Sequence, residues 1–294
     1  MQPDTSCRSG FVAVIGRANA GKSTLLNALV QERIALVSRK AGATRKRQLM
    51  IVMHRNSQII FIDTPGLDSR QKELNLYMQK ETEAAQNDAD LVLFVADMAD
   101  SAHNYARFLE ANAQTKHIVV LTKMDNFNHS ERLAKLSQYQ QYSDHFAALV
   151  PISATRRDFA ALLDEVEKCL PIHEYYFDPD ELTNQSIRDI YKEMIREQIF
   201  QFVSDEVPYE AEAVIDRFEE SPAIDRIYAK IFVEKASQKA IVIGAKGAVV
   251  KKIGTAARKM MEEFSQKKVY LELSVEVAKW SKDKQILKKL GYDT

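Results

Sequence analysis

Apolar residues in the first 170 positions come in six short runs: FVAVIG (11–16), QLMIVMH (48–54), QIIFID (58–63), LVLFVAD (91–97), HIVVLT (117–122) and ALVPIS (148–153). They are rich in Val, Ile and Leu and mostly do not alternate with polar residues. That is the pattern of strands covered on both faces. Helical stretches at about 22–30, 71–87, 102–112, 130–142 and 158–169 separate them. Alternating strands and helices predict a mostly parallel sheet with helices on both faces. The runs at 48–54 and 58–63 are too close for a crossover, so they form a hairpin and one edge strand is antiparallel.

The pattern changes after LPIHEYYFDPDELTN, where Pro171, Pro179, acids and aromatics without a period mark a boundary near 172–185. SIRDIYKEMIREQIFQFV (186–203) has a helical period through Ile187, Ile190, Tyr191, Met194, Ile195, Ile199 and Phe202. AEAVIDRFEE and RIYAKIFVEK alternate like two strands. SQKAIVIGAKGAVVKKIGTAARKMMEEFSQK reads as helix, glycine loop and helix, and VYLELSVEV (269–277) as a third strand. The predicted order is α-β-β-α-loop-α-β, an α+β unit, with no internal repeat.

Composition narrows the class. Hydrophobic residues make up 46% of the 294, enough for real cores. The two cysteines, Cys7 and Cys169, are far apart, and the six histidines form no paired metal pattern, so a reducing cytosol is expected. No apolar run reaches the length of a membrane span. The N-terminal MQPDTSCRSG has no apolar signal core, and no secretion signal is expected. Formal net charge is zero but unevenly placed. Residues 173–229 carry 15 acidic and 5 basic groups, and residues 230–294 carry 15 basic and 7 acidic ones. The second glycine loop lies in the basic block, which points to a polyanionic partner.

GRANAGKS, at Gly16 to Ser23, is G-x-x-x-x-G-K-S between a strand and a helix, the setting of a phosphate-binding loop. Its backbone N–H groups, across Gly16, Arg17, Ala18, Asn19, Ala20, Gly21, Lys22, Ser23 and Thr24, are expected to wrap the nucleotide phosphates. Lys22 would bridge β- and γ-phosphate charge, and Ser23 would offer a hydroxyl to Mg2+. DTPGL follows a strand: Asp63 can hold Mg2+ through a water, and Gly66 can meet the γ-phosphate, with Thr64, Pro65 and Leu67 completing the turn. In TKMD (Thr122, Lys123, Met124, Asp125) the Asp125 carboxylate matches the N1–H and N2–H2 donors of guanine, and Lys123 can lay its stem over the base. Ser153 and Ala154 follow another strand, and the Ala154 N–H can reach guanine O6. Thr44, in a loop after the first helix, is placed to give a second Mg2+ hydroxyl. Apart from Thr44, these elements sit at strand C-terminal ends, where open α/β sheets bind ligands.

Together these residues resemble a GTPase G domain. Leu67 stands where Ras-like enzymes carry a water-orienting Gln, so hydrolysis must draw on something else. Asn19 stands where the Era, Der and tRNA-modification GTPases carry an asparagine that helps bind a monovalent cation. By that resemblance K+ supplies charge near the β,γ-bridge. Asn19, Lys22, Thr44 and Gly66 are the expected catalytic set, and Ser23, Thr44 and Asp63 the expected metal set. The family pattern at the base site is NKxD, and Thr122 replaces the Asn. One hydrogen bond fewer would cost roughly 1 kcal/mol, with guanine preference kept by Asp125.

The second loop, GAKG (Gly244, Ala245, Lys246, Gly247), lacks the G-K-[ST] ending and lies between two helices. A second nucleotide site is therefore not expected. In its setting it resembles the G-x-x-G loop of a type II KH domain, which clamps the backbone of single-stranded RNA. Lys251, Lys252 and Arg258 would extend the basic face.

A G domain followed by a type II KH domain is similar to the Era GTPases over nearly the whole chain. GRANAGKSTLLNALV, TPGL, VIGAKGAVVKKIGTAARKMME, Lys279–Trp280 and the terminal LKKLGYD carry the resemblance. It implies slow, K+-stimulated GTP hydrolysis with Mg2+, and binding to 16S rRNA near its 3′ end. It also implies a role in 30S subunit assembly and a monomer in the cytoplasm with peripheral association at the cell membrane. The implied division is a tail over 1–8, a G domain over 9–172, a linker over 173–185, a KH domain over 186–280, and a basic helix or tail over 281–294. Departures are Thr122, the residues AGATR before and around Thr44, and Glu276 in a strand that is commonly more basic. Two rival readings are a nucleotide-sensing RNA chaperone with negligible turnover and a membrane-surface GTPase.

Overall fold

The computed structural model of the protein describes residues 7–35, 37, 47–65, 72–204 and 206–280. Two compact units divide the chain at Asn184/Gln185.

The first unit holds strands β1 (Arg8–Ile15), β2 (Gln48–His54), β3 (Ser57–Asp63), β4 (Leu91–Asp97), β5 (His117–Thr122) and β6 (Ala148–Pro151). Helices α1 (Lys22–Val30), α2 (Lys72–Asn87), α3 (His103–Asn112), α4 (His129–Gln140) and α5 (Ala160–Cys169) alternate with them. The sheet runs β2-β3-β1-β4-β5-β6. All pairs are parallel except β2–β3, closed by the two-residue turn Arg55–Asn56. Every residue of β3 and of β5 is buried, which is why the sequence shows unbroken apolar runs there. β1 begins at Arg8, three residues before its apolar run, because Arg8 to Gly10 pair with Ser57 to Ile59 of β3. From β1 the chain crosses to β3 on one side and later to β4 on the other. The crevice at the C-terminal end of β1 is therefore a topological switch point.

Residues 172–183 are fastened to this unit. The Gln58 side-chain oxygen accepts from the Tyr176 and Phe177 N–H groups at 2.9 and 3.0 Å, and its amide donates to the Phe177 carbonyl at 2.8 Å. The Ile51 N–H donates to the Leu182 carbonyl at 2.9 Å, and the Thr183 hydroxyl to the Leu49 carbonyl at 2.6 Å.

The second unit holds α6 (Ile187–Phe202), a single turn α7 (Val207–Glu210), β7 (Ala211–Glu219), β8 (Ile224–Val233), α8 (Ala236–Ile243), α9 (Ala248–Ser265) and β9 (Lys268–Val277). The sheet order is β7-β8-β9, antiparallel then parallel, with a bulge between Ile215 and Arg217. Ile227, Ala229, Ile231 and Val233 of β8 are buried, as are Ile253, Ala257 and Met261 of α9, which packs against α6 and β9. The Trp280 indole, 1% exposed, donates to the Glu210 carbonyl at 2.9 Å and anchors the end of the described chain. Buried Glu212 is matched by Arg196 at 3.3 Å, as a buried carboxylate requires.

Candidate functional site

The loop from Gly16 to Gly21 turns back over the end of β1 through left-handed backbone. Gly16 is required by packing: a Cβ there would stand 2.1 Å from the Val95 carbonyl oxygen of β4. Asn19 itself adopts φ 64°, with its neighbour Ala20 buried. Gly21, at φ 93°, is the N-cap of α1 and has no side chain to cap it, so the first N–H groups of the helix point at the loop's interior. Buried Lys22 donates to the Gly16 and Arg17 carbonyls at 2.9 and 3.0 Å, which places its ammonium inside the loop. Arg17, Asn19 and Thr24 are exposed and Ala18 is half-buried. The Arg17 guanidinium lies 3.8 Å from Asp100.

Ser23 donates its hydroxyl to Asp63 Oδ2 at 2.9 Å, joining the loop to the end of β3. Asp63 is fully buried, and the Thr64 hydroxyl ties the end of β3 to β1 by donating to the Val14 carbonyl at 2.7 Å. A hydroxyl beside a carboxylate at a strand end is a hard-oxygen pair that fits Mg2+. Pro65 is buried next to it. Thr44, Gly66 and Leu67 lie outside the described residues.

The base end is built from β4, β5 and β6. The Thr122 hydroxyl donates to the Ala20 carbonyl at 2.6 Å. Lys123, at φ 59°, donates to the Asn19 carbonyl at 3.0 Å and to Asp97 Oδ2 at 2.5 Å. The Met124 N–H donates to the Ile152 carbonyl at 3.2 Å, which seats the short turn Met124–Asn126 and presents Asp125. The Ser153 hydroxyl foremost, and the Thr155 hydroxyl at 3.4 Å, hold the Asp125 carboxyl below its ordinary range. Asp125 is thus an exposed anion whose carboxylate is oriented by these two hydroxyls. Ala154 follows buried Ser153 in the same loop. The structure brings together the described members of the expected nucleotide set. It also adds Asp97, which sequence reasoning passed over. The signal was present: LVLFVAD ends in an aspartate at a strand's C-terminal end, as QIIFID does.

In the second unit, Gly244 closes α8 at φ 71°, where a Cβ would meet Val249 Cγ2 at 2.4 Å. Ala245 and Lys246 stand exposed at the tip, with Lys246 at φ 51°. Gly247, at φ 78°, caps α9 without a side chain, so this helix also presents bare N–H groups. Lys251 and Lys252 are exposed on its first turns. Arg258 pairs with Glu262 at 3.0 Å, one turn along the helix, and Glu276 pairs with Lys230 at 3.0 Å across the ladder.

Among the described residues one further group has metal-type spacing: His54, Asp164 and Glu167. Arg55 bridges both carboxylates at 2.8 and 3.2 Å, and Ser57 donates to Glu167 at 2.6 Å. It is an ion-pair clamp between the β2–β3 hairpin and α5. Among the described residues no helix is long and apolar enough to cross a membrane.

The chain matches two families, the 50S ribosome-binding GTPases over residues 11–123 and the KH domain over residues 206–281. It is 48% identical over 292 residues to the GTPase Era of Helicobacter pylori strain HPAG1, covering 97% of each chain. With the GTPase Era of Campylobacter jejuni subsp. doylei it shares 44% identity over 288 residues, covering 97% of this chain and 99% of the relative. Two crystal structures of Era superpose on it with TM-scores of 0.90 at 30% identity, over 98% of this chain and 100% of theirs. One is Era with MgGDPNP and nucleotides 1506–1542 of 16S ribosomal RNA. The other is an Aquifex aeolicus Era variant bound to GDP and aluminium fluoride.

Proposed function

The chain belongs to the Era family of GTPases, and on that premise we propose that it is a guanine-nucleotide switch that binds 16S rRNA near its 3′ end and assists 30S subunit assembly. The observation that carries this reading is the convergence of Lys22, Ser23, Asp63, Thr122 and Asp125 on one end of the first sheet, with a second glycine loop in the basic block of a separate unit. GTP is hydrolysed to GDP and phosphate. Asp125 selects guanine by accepting from its N1–H and N2–H2, while Lys123 and the Ala154 N–H border the base. The backbone N–H groups of residues 16–24 and the Lys22 ammonium hold the phosphates.

Ser23 and Asp63, with Thr44, would hold Mg2+, which supplies positive charge to the β- and γ-phosphate oxygens. Leu67 gives no polar group to a water, so turnover is slow and rests on positioning by Lys22 and the Gly66 N–H. The Asn19 side chain is the candidate contact for K+. Thr44 and Gly66 are the expected γ-phosphate contacts, and RNA binding is coupled to nucleotide state.

In that unit Gly244, Ala245, Lys246 and Gly247 clamp a single-stranded RNA backbone, with Lys251, Lys252 and Arg258 adding charge. The division into a tail (1–8), G domain (9–172), linker (173–185), KH domain (186–280) and basic terminal segment (281–294) belongs to the same reading. So does a cytoplasmic monomer, with peripheral contact to an anionic membrane supported by the lysines of the terminal segment.

Crosslinking in cells followed by sequencing of bound RNA tests it. Reads piled at the 3′ end of 16S rRNA, and lost in an Ala245→Asp/Lys246→Asp variant, are expected. Scattered reads equal in both proteins overturn the RNA assignment. Hydrolysis measured in K+ and in Na+ buffer tests the cation: equal rates remove that role from Asn19.

A further inference from the structure

Asp97 has no place in the nucleotide chemistry described so far, yet it is built into the base end of the site. It is the last residue of β4 and pairs with Thr122 of β5 in the parallel ladder. One carboxylate oxygen accepts from the Ala99 N–H at 2.9 Å, which locks the side chain over the strand end. The other accepts from Lys123 Nζ at 2.5 Å. The pair is only partly exposed, 18% for Asp97 and 41% for Lys123.

Lys123 is held at three places. Its backbone sits at φ 59°, a left-handed conformation that a lysine adopts only when its surroundings impose it. Its ammonium spans from Asp97 to the Asn19 carbonyl in the phosphate loop at 3.0 Å. Its aliphatic stem therefore runs as a fixed bar from the end of β5 toward β4 and the loop crest. A free lysine would have to give up rotamer freedom each time a base arrived.

We propose that Asp97 is a positioning residue for nucleotide binding: it holds Lys123 stretched across the base end, ready to cover the purine face. The proposal rests on the guanine-nucleotide reading of this site. Asp97 acts through Lys123 alone and does not touch the nucleotide. It fixes the Lys123 bar before binding, so its removal shows chiefly as faster release, shared by GDP and GTP because both carry the same base.

The test is stopped-flow release of a fluorescent GDP and a fluorescent GTP analogue from the full-length protein with Mg2+. Asp97→Asn keeps the size and the acceptor for Ala99 but loses the charge that holds Lys123. Release is expected to quicken about tenfold for both nucleotides, the usual worth of one charge-assisted hydrogen bond. Turnover at saturating GTP should move far less than KM. Asp97→Glu, which keeps the charge, should recover most of the loss. In a Lys123→Met background Asp97→Asn should add less than twofold. Unchanged release in Asp97→Asn, or a full tenfold effect added to Lys123→Met, overturns the proposal. Failure of the parent reading looks different: the wild-type protein would then bind neither fluorescent nucleotide, or Lys22→Ala would bind both undiminished.

Discussion

The hydroxyl of Thr122, at the end of β5, donates to the carbonyl oxygen of Ala20 in the phosphate loop at 2.6 Å. Gly21 packs so close to the Thr122 side chain that an added Cβ would stand 3.3 Å from Thr122 Oγ1. The position that is Asn in the NKxD pattern is thus filled by a shorter side chain that still ties the base end to the loop. Thr122→Val keeps the shape and removes the bond, leaving the Ala20 carbonyl buried without that donor. A loss of about 1–3 kcal/mol is expected. Calorimetric melting of the nucleotide-free protein should show it as a lower midpoint, and GDP release should quicken.

Asp125→Asn replaces two acceptors by one acceptor and one donor. Guanine offers two donors to that edge, whereas xanthine offers one donor and a carbonyl. GTP affinity should fall by about ten- to a hundredfold, from the loss of a charged hydrogen-bond pair. XTP should bind the variant better than it binds the wild type. Competition against a fluorescent nucleotide reads both, and a variant that still prefers GTP contradicts the assignment of Asp125.

His117 makes the first sheet sensitive to acid. Its Nδ1–H donates to the Thr115 carbonyl at 2.6 Å, which leaves Nε2 to accept from the Tyr105 hydroxyl at 2.7 Å. Burial, chiefly, holds its pKa below the ordinary 6.5. The unfolded chain therefore takes up a proton first as pH falls. Stability from this group is complete above 6.5 and is lost as pH drops below that value toward the lower folded one. Melting temperature should decline over this range, and His117→Phe, less stable at neutral pH, should decline less. An equal decline in both proteins would assign the acid sensitivity elsewhere.

RNA binding by the second unit should depend on salt. Three backbone phosphates met by Lys246, Lys251 and Lys252 would give a slope of log affinity against log salt of about −2. Lys246→Ala should make that slope shallower by about 0.7 without changing which sequence is preferred. A salt titration with a single-stranded 16S rRNA fragment measures both quantities.

The fold was legible where one physical demand dominates. β3 and β5 are buried from end to end, so their composition alone announces a two-faced sheet. The glycine loops were legible because left-handed backbone and close approach leave glycine as the fitting residue at Gly16 and Gly244. Where two demands overlap, the sequence is silent. The polar start of β1 lies outside the apolar run 11–16, yet Ser9 is fully buried and pairs with Gln58 of β3. Asp97 looks like a solvated strand end because the lysine that employs it lies 26 residues further on. Residues 172–183 look like a linker because their anchors are the buried Gln58 side chain and the backbone groups of Leu49 and Ile51, none of which carries a signal in the sequence. The turn α7, four residues with Pro208 at its start, has no period to betray it.

The fastening of residues 172–183 also bears on how the protein is handled. β2 is the outermost strand of the six, so its far side would otherwise present a row of unpaired backbone groups. Leu182 takes the Ile51 N–H and Thr183 takes the Leu49 carbonyl, which occupies the middle of that row. A fragment cut after residue 171 would bare a sticky edge that invites strand-to-strand association between copies. A fragment carried on to Asn184 keeps its own cover. The apparent connector is a sheath, and whoever wishes to study the first unit in isolation should leave it on.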